Sequence, residues 1–96
     1  MECLGCRRNL GNVDAREACF AVEHGGDEYV TSYWRCPDCD TYTVETYHDR
    51  FMGDAARSVA GPVPAADLAA SLAEIAACPE PANKRCRCPA HRRLGD

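Results

Sequence analysis

Glu28-Tyr-Val-Thr-Ser-Tyr-Trp-Arg-Cys-Pro-Asp-Cys39 decides how this chain is read. Its first eight residues are rich in β-branched and aromatic types, which fit a pleated, half-buried strand. The strand runs straight into the pair Cys36 and Cys39. A second pair, Cys3-Leu-Gly-Cys6, lies near the start, and twenty-nine residues separate Cys6 from Cys36. Each pair closes a tight loop that can hold one side of a metal ion. Two such pairs supply the four thiolates of a tetrahedral site, with Cys3, Cys6, Cys36 and Cys39 as ligands.

Working outward, residues 17–24 read as a strand, and Gly25-Gly26-Asp27 reads as a turn that makes a hairpin with the strand after it. Residues 41–48 make a third strand. Beyond them the chemistry changes. Asp54 is placed to cap a short helix over residues 55–60, which Gly61 and Pro62 stop. Pro64 suits the first turn of a second helix ending near Ala77. Leu68, Leu72 and Ile75 fall at i, i+4 and i+7 and form one apolar stripe, read as packing on the sheet.

Strand, hairpin, strand and two CxxC loops resemble a zinc ribbon, a three-stranded antiparallel sheet with metal knuckles at one end. The resemblance covers residues 1–48, and Trp34-Arg-Cys-Pro-Asp-Cys39 carries it. Many ribbons and rubredoxins have Gly after the second Cys of a knuckle, where the backbone turns left-handed. Asp40 stands there in this chain, a residue that tolerates the conformation better than most. The resemblance implies structural zinc, and a rubredoxin-like site would imply iron and electron transfer. Tetrahedral sulfur ligation suits either metal.

The fold expected is thus a small α+β metal-stapled domain. It comprises a three-stranded ribbon (1–48), a helical segment packed on it (49–77) and an irregular basic tail (78–96). The core candidates are Phe20, Val22, Tyr29, Val30, Tyr33, Trp34, Tyr42, Val44, Phe51, Met52, Val59, Leu68, Leu72 and Ile75. So few large apolar residues call for staples.

The tail has no periodicity, yet it carries Cys78, Cys86, Cys88 and His91 within fourteen residues. These complete a Cys₃His set and predict a second zinc ion that orders a segment with no core of its own. Ligands shared between the halves, or a labile tail cluster that handles metal, are the other readings. Residues 1–77 carry six basic and thirteen acidic side chains, net −7, whereas residues 78–96 carry five basic and two acidic, net +3. An acidic body argues against a general nucleic-acid binder. The tail cations Arg85, Arg87, Arg92 and Arg93 are candidates for partner contact, either docking on an acidic protein surface or meeting nucleic-acid phosphates, and the lack of a tail aromatic for base stacking weakens the single-strand reading. Tyr29, Tyr33, Trp34, Tyr42 and Tyr47 are a candidate aromatic platform on the sheet, in an acidic setting that favours protein contact.

A site closed by four protein ligands leaves no position for a reactive water, so no catalysis is expected. No H-x-E element accompanies Cys36 and Cys39, which excludes the zinc-deaminase pattern. No phosphate loop or nucleophile–base pair stands out, and no small-molecule substrate is evident. Neither a secretory signal nor a membrane span is visible, which predicts a cytoplasmic, reduced protein. Cys19 reads as a small buried hydrophobe, His24 as exposed, and His48 as a hydrogen-bonded surface residue near Asp49.

Overall fold

A computed structural model describes residues 1–50 and 52–94. Four antiparallel strands form one sheet in the order β1-β2-β3-β4: β1 Ala18–His24, β2 Asp27–Cys36, β3 Thr41–Asp49 and β4 Ala56–Pro64. Helix α1, Ala65–Ala77, follows, and a short helix α2, Pro89–Leu94, lies in the tail. The protein is a small α+β domain with a four-stranded sheet and one long helix.

The β1–β2 hairpin forms where the two glycines permit it. Gly25 and Gly26 both take positive φ (61° and 88°), and His24 pairs with Asp27 across the turn. The β2–β3 turn is the Cys36–Cys39 loop itself. Burial then divides the sheet's faces. On one, Phe20 packs with Ile75, Cys78 and Ala90, flanked by Ala18, Val22, Tyr33 and Leu72. On the other, the N-terminal segment covers Ser32, Trp34 and Thr43. The Trp34 indole N–H donates to the Asn12 carbonyl at 2.9 Å, Arg16 donates to Ser32 Oγ at 3.0 Å, and the Leu4 N–H donates to Thr43 Oγ1 at 3.3 Å.

Five expectations are corrected. Residues 55–60 are not helical, and the sheet has four strands rather than three. The preference of a few alanines for helix is weak, whereas pairing as β4 completes the outer edge of β3 from Thr41↔Pro64 to His48↔Ala56. Only 65–77 of the segment 49–77 is helix. Gly61-Pro62, read as a helix stop, lies inside the strand. Its peptide bond is cis, opposite a register shift between Tyr42 and Val44. Gly61 has φ +143°, and a Cβ there would lie 2.9 Å from the Tyr42 carbonyl oxygen, so only glycine fits. Pro62 and Pro64 are tolerated because β4 is an edge strand. The tail, expected to be irregular, ends in α2.

The core list also changes. Met52 and Val59 are 89% and 46% exposed, and Phe51 lies outside the described residues. The aromatic platform does not form. Trp34 is buried under the N-terminal segment, and Tyr42, also buried, donates its hydroxyl to the Glu17 carboxylate. Tyr33 joins the Phe20 core, and Tyr29 stacks on His48 at 4.2 Å.

Candidate metal centres

The two CxxC loops are built alike. Cys3 and Cys36 are fully buried, and each carbonyl accepts a hydrogen bond four residues on, from Arg7 N–H at 2.8 Å and Asp40 N–H at 3.0 Å. The residue after each second cysteine is left-handed, Arg7 at φ 67° and Asp40 at φ 52°. Asp40 was legible in the sequence. Arg7 was missed, although its place after Cys6 is the same signal. Opposite charges tie the loops together through Arg8 and Asp38, 2.6 Å apart, while Arg35 holds Asp40 at 2.8 Å.

This brings Cys3, Cys6, Cys36 and Cys39 into one cluster whose sulfurs all lie within 4.8 Å of one another. The Cys6 and Cys36 sulfurs are 3.6 Å apart, and all eight cysteines of the chain are free thiols. Disulfide sulfurs would sit at about 2.05 Å. Ligands of one tetrahedral ion, each at about 2.3 Å from it, lie about 3.8 Å from one another. The cluster fits the second geometry and could hold a metal ion.

The tail forms the second cluster, from Cys78, Cys86, Cys88 and His91. Cys78 caps α1, its N–H bonded to the Ile75 carbonyl at 3.1 Å, and α2 presents His91. The Cys78 sulfur lies 3.8 Å from that of Cys86 and 3.3 Å from that of Cys88. His91 Nδ1 is 3.3 Å from the Cys78 sulfur and 3.2 Å from the Cys88 sulfur. The other ring nitrogen, Nε2, meets the Ala21 carbonyl oxygen at 3.0 Å. A carbonyl only accepts, so Nε2 carries a hydrogen; Nδ1, which faces the sulfurs, shares a hydrogen with Cys88 when no ion is bound and is the atom an ion would take in its place. A backbone acceptor of this kind fixes the tautomer and ring direction of a metal-binding histidine. This contact spans 70 residues of chain and had no sequence signal.

The thiols are unevenly tuned. The Cys6 backbone N–H, with that of Gly5, holds Cys3 down to about 6. Its neighbour Cys39 is pushed up to about 12, first by the Cys6 sulfur and then by burial. In the tail, the hydrogen bond from His91 holds Cys88 down to about 6, and burial followed by the Cys88 sulfur raises Cys78 to about 11. In each cluster one sulfur is readied as a thiolate while a neighbour keeps its proton. A bound ion would replace those shared protons.

The tail crosses the outer edge of β1. The Ala21 N–H donates to the Pro81 carbonyl at 2.8 Å, and its carbonyl takes the His91 hydrogen bond, while the His91 ring lies 4.2 Å from Phe20. Lys84 reaches Glu23 at 3.4 Å and Glu28 at 3.1 Å, two carboxylates directly opposite each other in the β1–β2 ladder. Arg93 pairs with Glu74 of α1 at 2.5 Å. Of the tail cations singled out for partner contact, Arg93 is therefore engaged, and Arg85, Arg87 and Arg92 are exposed. The hydrogen bonds contribute about 1 kcal/mol each, against about 1–2 kcal/mol of backbone entropy for every residue ordered. An ion bound at the second cluster would add on the order of 10 kcal/mol, the largest single contribution available to hold the tail down.

Cys19 joins neither cluster. It is partly exposed, in a groove of about 440 Å³ between β1, α1 and the tail. His24 is exposed, and His48 bonds Asp27 across the strand pair at 2.8 Å rather than Asp49. Among the described residues no helix is long and apolar enough to cross a membrane. Comparison with protein-family models, with curated proteins and with solved structures finds no match to this chain.

Proposed function

We propose that the chain is a non-catalytic module with two zinc ions, acting as an accessory or regulatory protein that recognises a protein partner. The observation that carries this reading is the closure of both clusters. Each assembles four protein donors, Cys₄ or Cys₃His, and leaves no coordination position for substrate or water. All-thiolate and thiolate–imidazole sets of this kind suit zinc in a structural role. The ions then act as staples for a domain whose largest buried side chains are few.

Native mass spectrometry with metal analysis, on protein purified under reducing conditions, tests the metal half of the proposal. Two zinc ions are expected. A visible charge-transfer band from iron would overturn structural zinc at the Cys₄ site. The partner half is tested by comparing wild type with an Arg85→Glu, Arg87→Glu, Arg92→Glu variant that keeps both ions. A protein that co-purifies with the first and not the second supports it. The exposure of those three arginines also favours a second reading, nucleic-acid contact through the tail. Binding of an oligonucleotide that weakens steeply with salt would establish that reading instead.

A further inference from the structure

We infer that the outer edge of β1 is a docking strip for an extended basic segment of a protein partner, and that the tail ion keeps it closed by holding the chain's own tail in that place. The tail is the occupant in cis, and its contacts define what the strip accepts. It takes a main-chain carbonyl at the Ala21 N–H (Pro81, 2.8 Å) and a hydrogen-bond donor at the Ala21 carbonyl (His91 Nε2, 3.0 Å). It takes a ring or apolar group against Phe20, as His91 supplies at 4.2 Å. Three residues beyond the residue whose carbonyl accepts, it takes a cation, as Lys84 supplies to Glu23 and Glu28.

Two features make the strip a recognition surface rather than a covered edge alone. An open strand edge offers unpaired N–H and C=O groups to any extended chain, and main-chain pairing with pockets for side chains is a general mode of peptide capture. Glu23 and Glu28 face each other across the ladder, and like charges so placed repel. The strip therefore has a standing demand for a cation, whether from Lys84 or from a partner. The tail meets the strip through main-chain and ionic contacts that an external segment can reproduce. What an external segment lacks is attachment to Cys78, which the tail has both through the chain and, when an ion is bound, through Cys86, Cys88 and His91. Losing that ion leaves the tail held by the chain alone, a looser occupant that an external segment can displace, while the Cys₄ cluster at the other end of β2 stays closed.

The inference rests on the reading of the chain as a protein-recognition module, and its test is separate from the co-purification above. The full-length Cys86→Ser, Cys88→Ser variant is prepared with zinc at the Cys₄ site alone. Wild type taken to the one-ion state with a chelator provides a second route if the variant folds poorly. The probe is a synthetic peptide of residues 79–85, which contains Pro81 and Lys84 and no cysteine or histidine. In the one-ion protein, exchange of the Ala21 amide should rise at least 10-fold. The peptide should shift the resonances of Phe20 and Ala21 with at least 10-fold higher affinity than it shows for the two-ion protein. A peptide with Lys84→Glu should lose that gain. Unchanged protection of Ala21 overturns the closure. An open edge that ignores the peptide, binds it equally in both forms, or pairs with a second copy of the chain overturns the assignment of the occupant. Those outcomes leave recognition by the two-ion protein standing.

Discussion

Replacing His91 separates the two tasks its ring performs. His91→Ala removes the Nδ1 donor and the Nε2–H bond to Ala21 together, whereas His91→Cys restores a fourth donor and loses the bond to the carbonyl and the ring contact with Phe20. Ala21 is 2% exposed, so its carbonyl is left without a donor in a dry setting, at a cost of about 1–3 kcal/mol. Losing the group that orients a metal-bound histidine weakens metal binding by about 10–100-fold, or about 1.4–2.7 kcal/mol, which agrees with that range. Competition with a chromophoric zinc chelator, read beside native mass spectrometry, measures both variants. His91→Cys should hold two ions, the tail ion about 10–100-fold more weakly than wild type. His91→Ala should keep one ion at chelator concentrations that leave wild type with two. The Cys₄ ion should be unaffected in both. A tail ion held equally by wild type and His91→Ala would refute His91 as a ligand. Equal affinity in wild type and His91→Cys would refute the orienting role of the Ala21 contact.

Cys36→Ser should abolish cooperative unfolding and the near-ultraviolet dichroism of Trp34, because an ion worth on the order of 10 kcal/mol rivals the entire stability of a small domain, roughly 5–15 kcal/mol; a retained sharp transition would contradict this. Ile75, 3% exposed beneath Phe20, should cost about 2–5 kcal/mol when replaced by Ala, seen as a lower urea midpoint at unchanged slope. Burial, and then the Glu17 carboxylate, push the Tyr42 phenol up to about 12 from 10.0. The fold thus favours the protonated phenol, and that contribution is complete below pH 10 and lost as pH rises toward 12. Ultraviolet titration should show a late phenolate step that is smaller in Tyr42→Phe, and across that window stability should fall more steeply in wild type than in Tyr42→Phe, by about 1.4 kcal/mol per pH unit.

The Cys₄ centre was legible because its signals are local. Each CxxC loop is a short turn of fixed chemistry, the strand feeding Cys36 is β-branched and aromatic, and Gly25-Gly26 places the hairpin that brings the loops together. The apolar stripe Leu68, Leu72 and Ile75 was legible for the same reason, since one helical period carries it. The tail cluster was legible as a complete set of candidate donors, though not its position in the fold.

The alanine-rich stretch at 55–60 shows where local signals stop. Its composition permits a helix, and the open edge of β3 makes it a strand, because pairing along β3 outweighs the weak preference of a few alanines. Docking of the tail is of the same kind. Nothing within residues 78–94 states that Pro81 meets Ala21 or that His91 turns Nε2 toward its carbonyl. The sequence by itself determined which residues could bind metal, because ligand chemistry and close spacing belong to the residues. Only the tertiary structure decided the fourth strand, the metal-facing nitrogen of His91 and the closing of β1, because each depends on groups that folding brings together from distant parts of the chain.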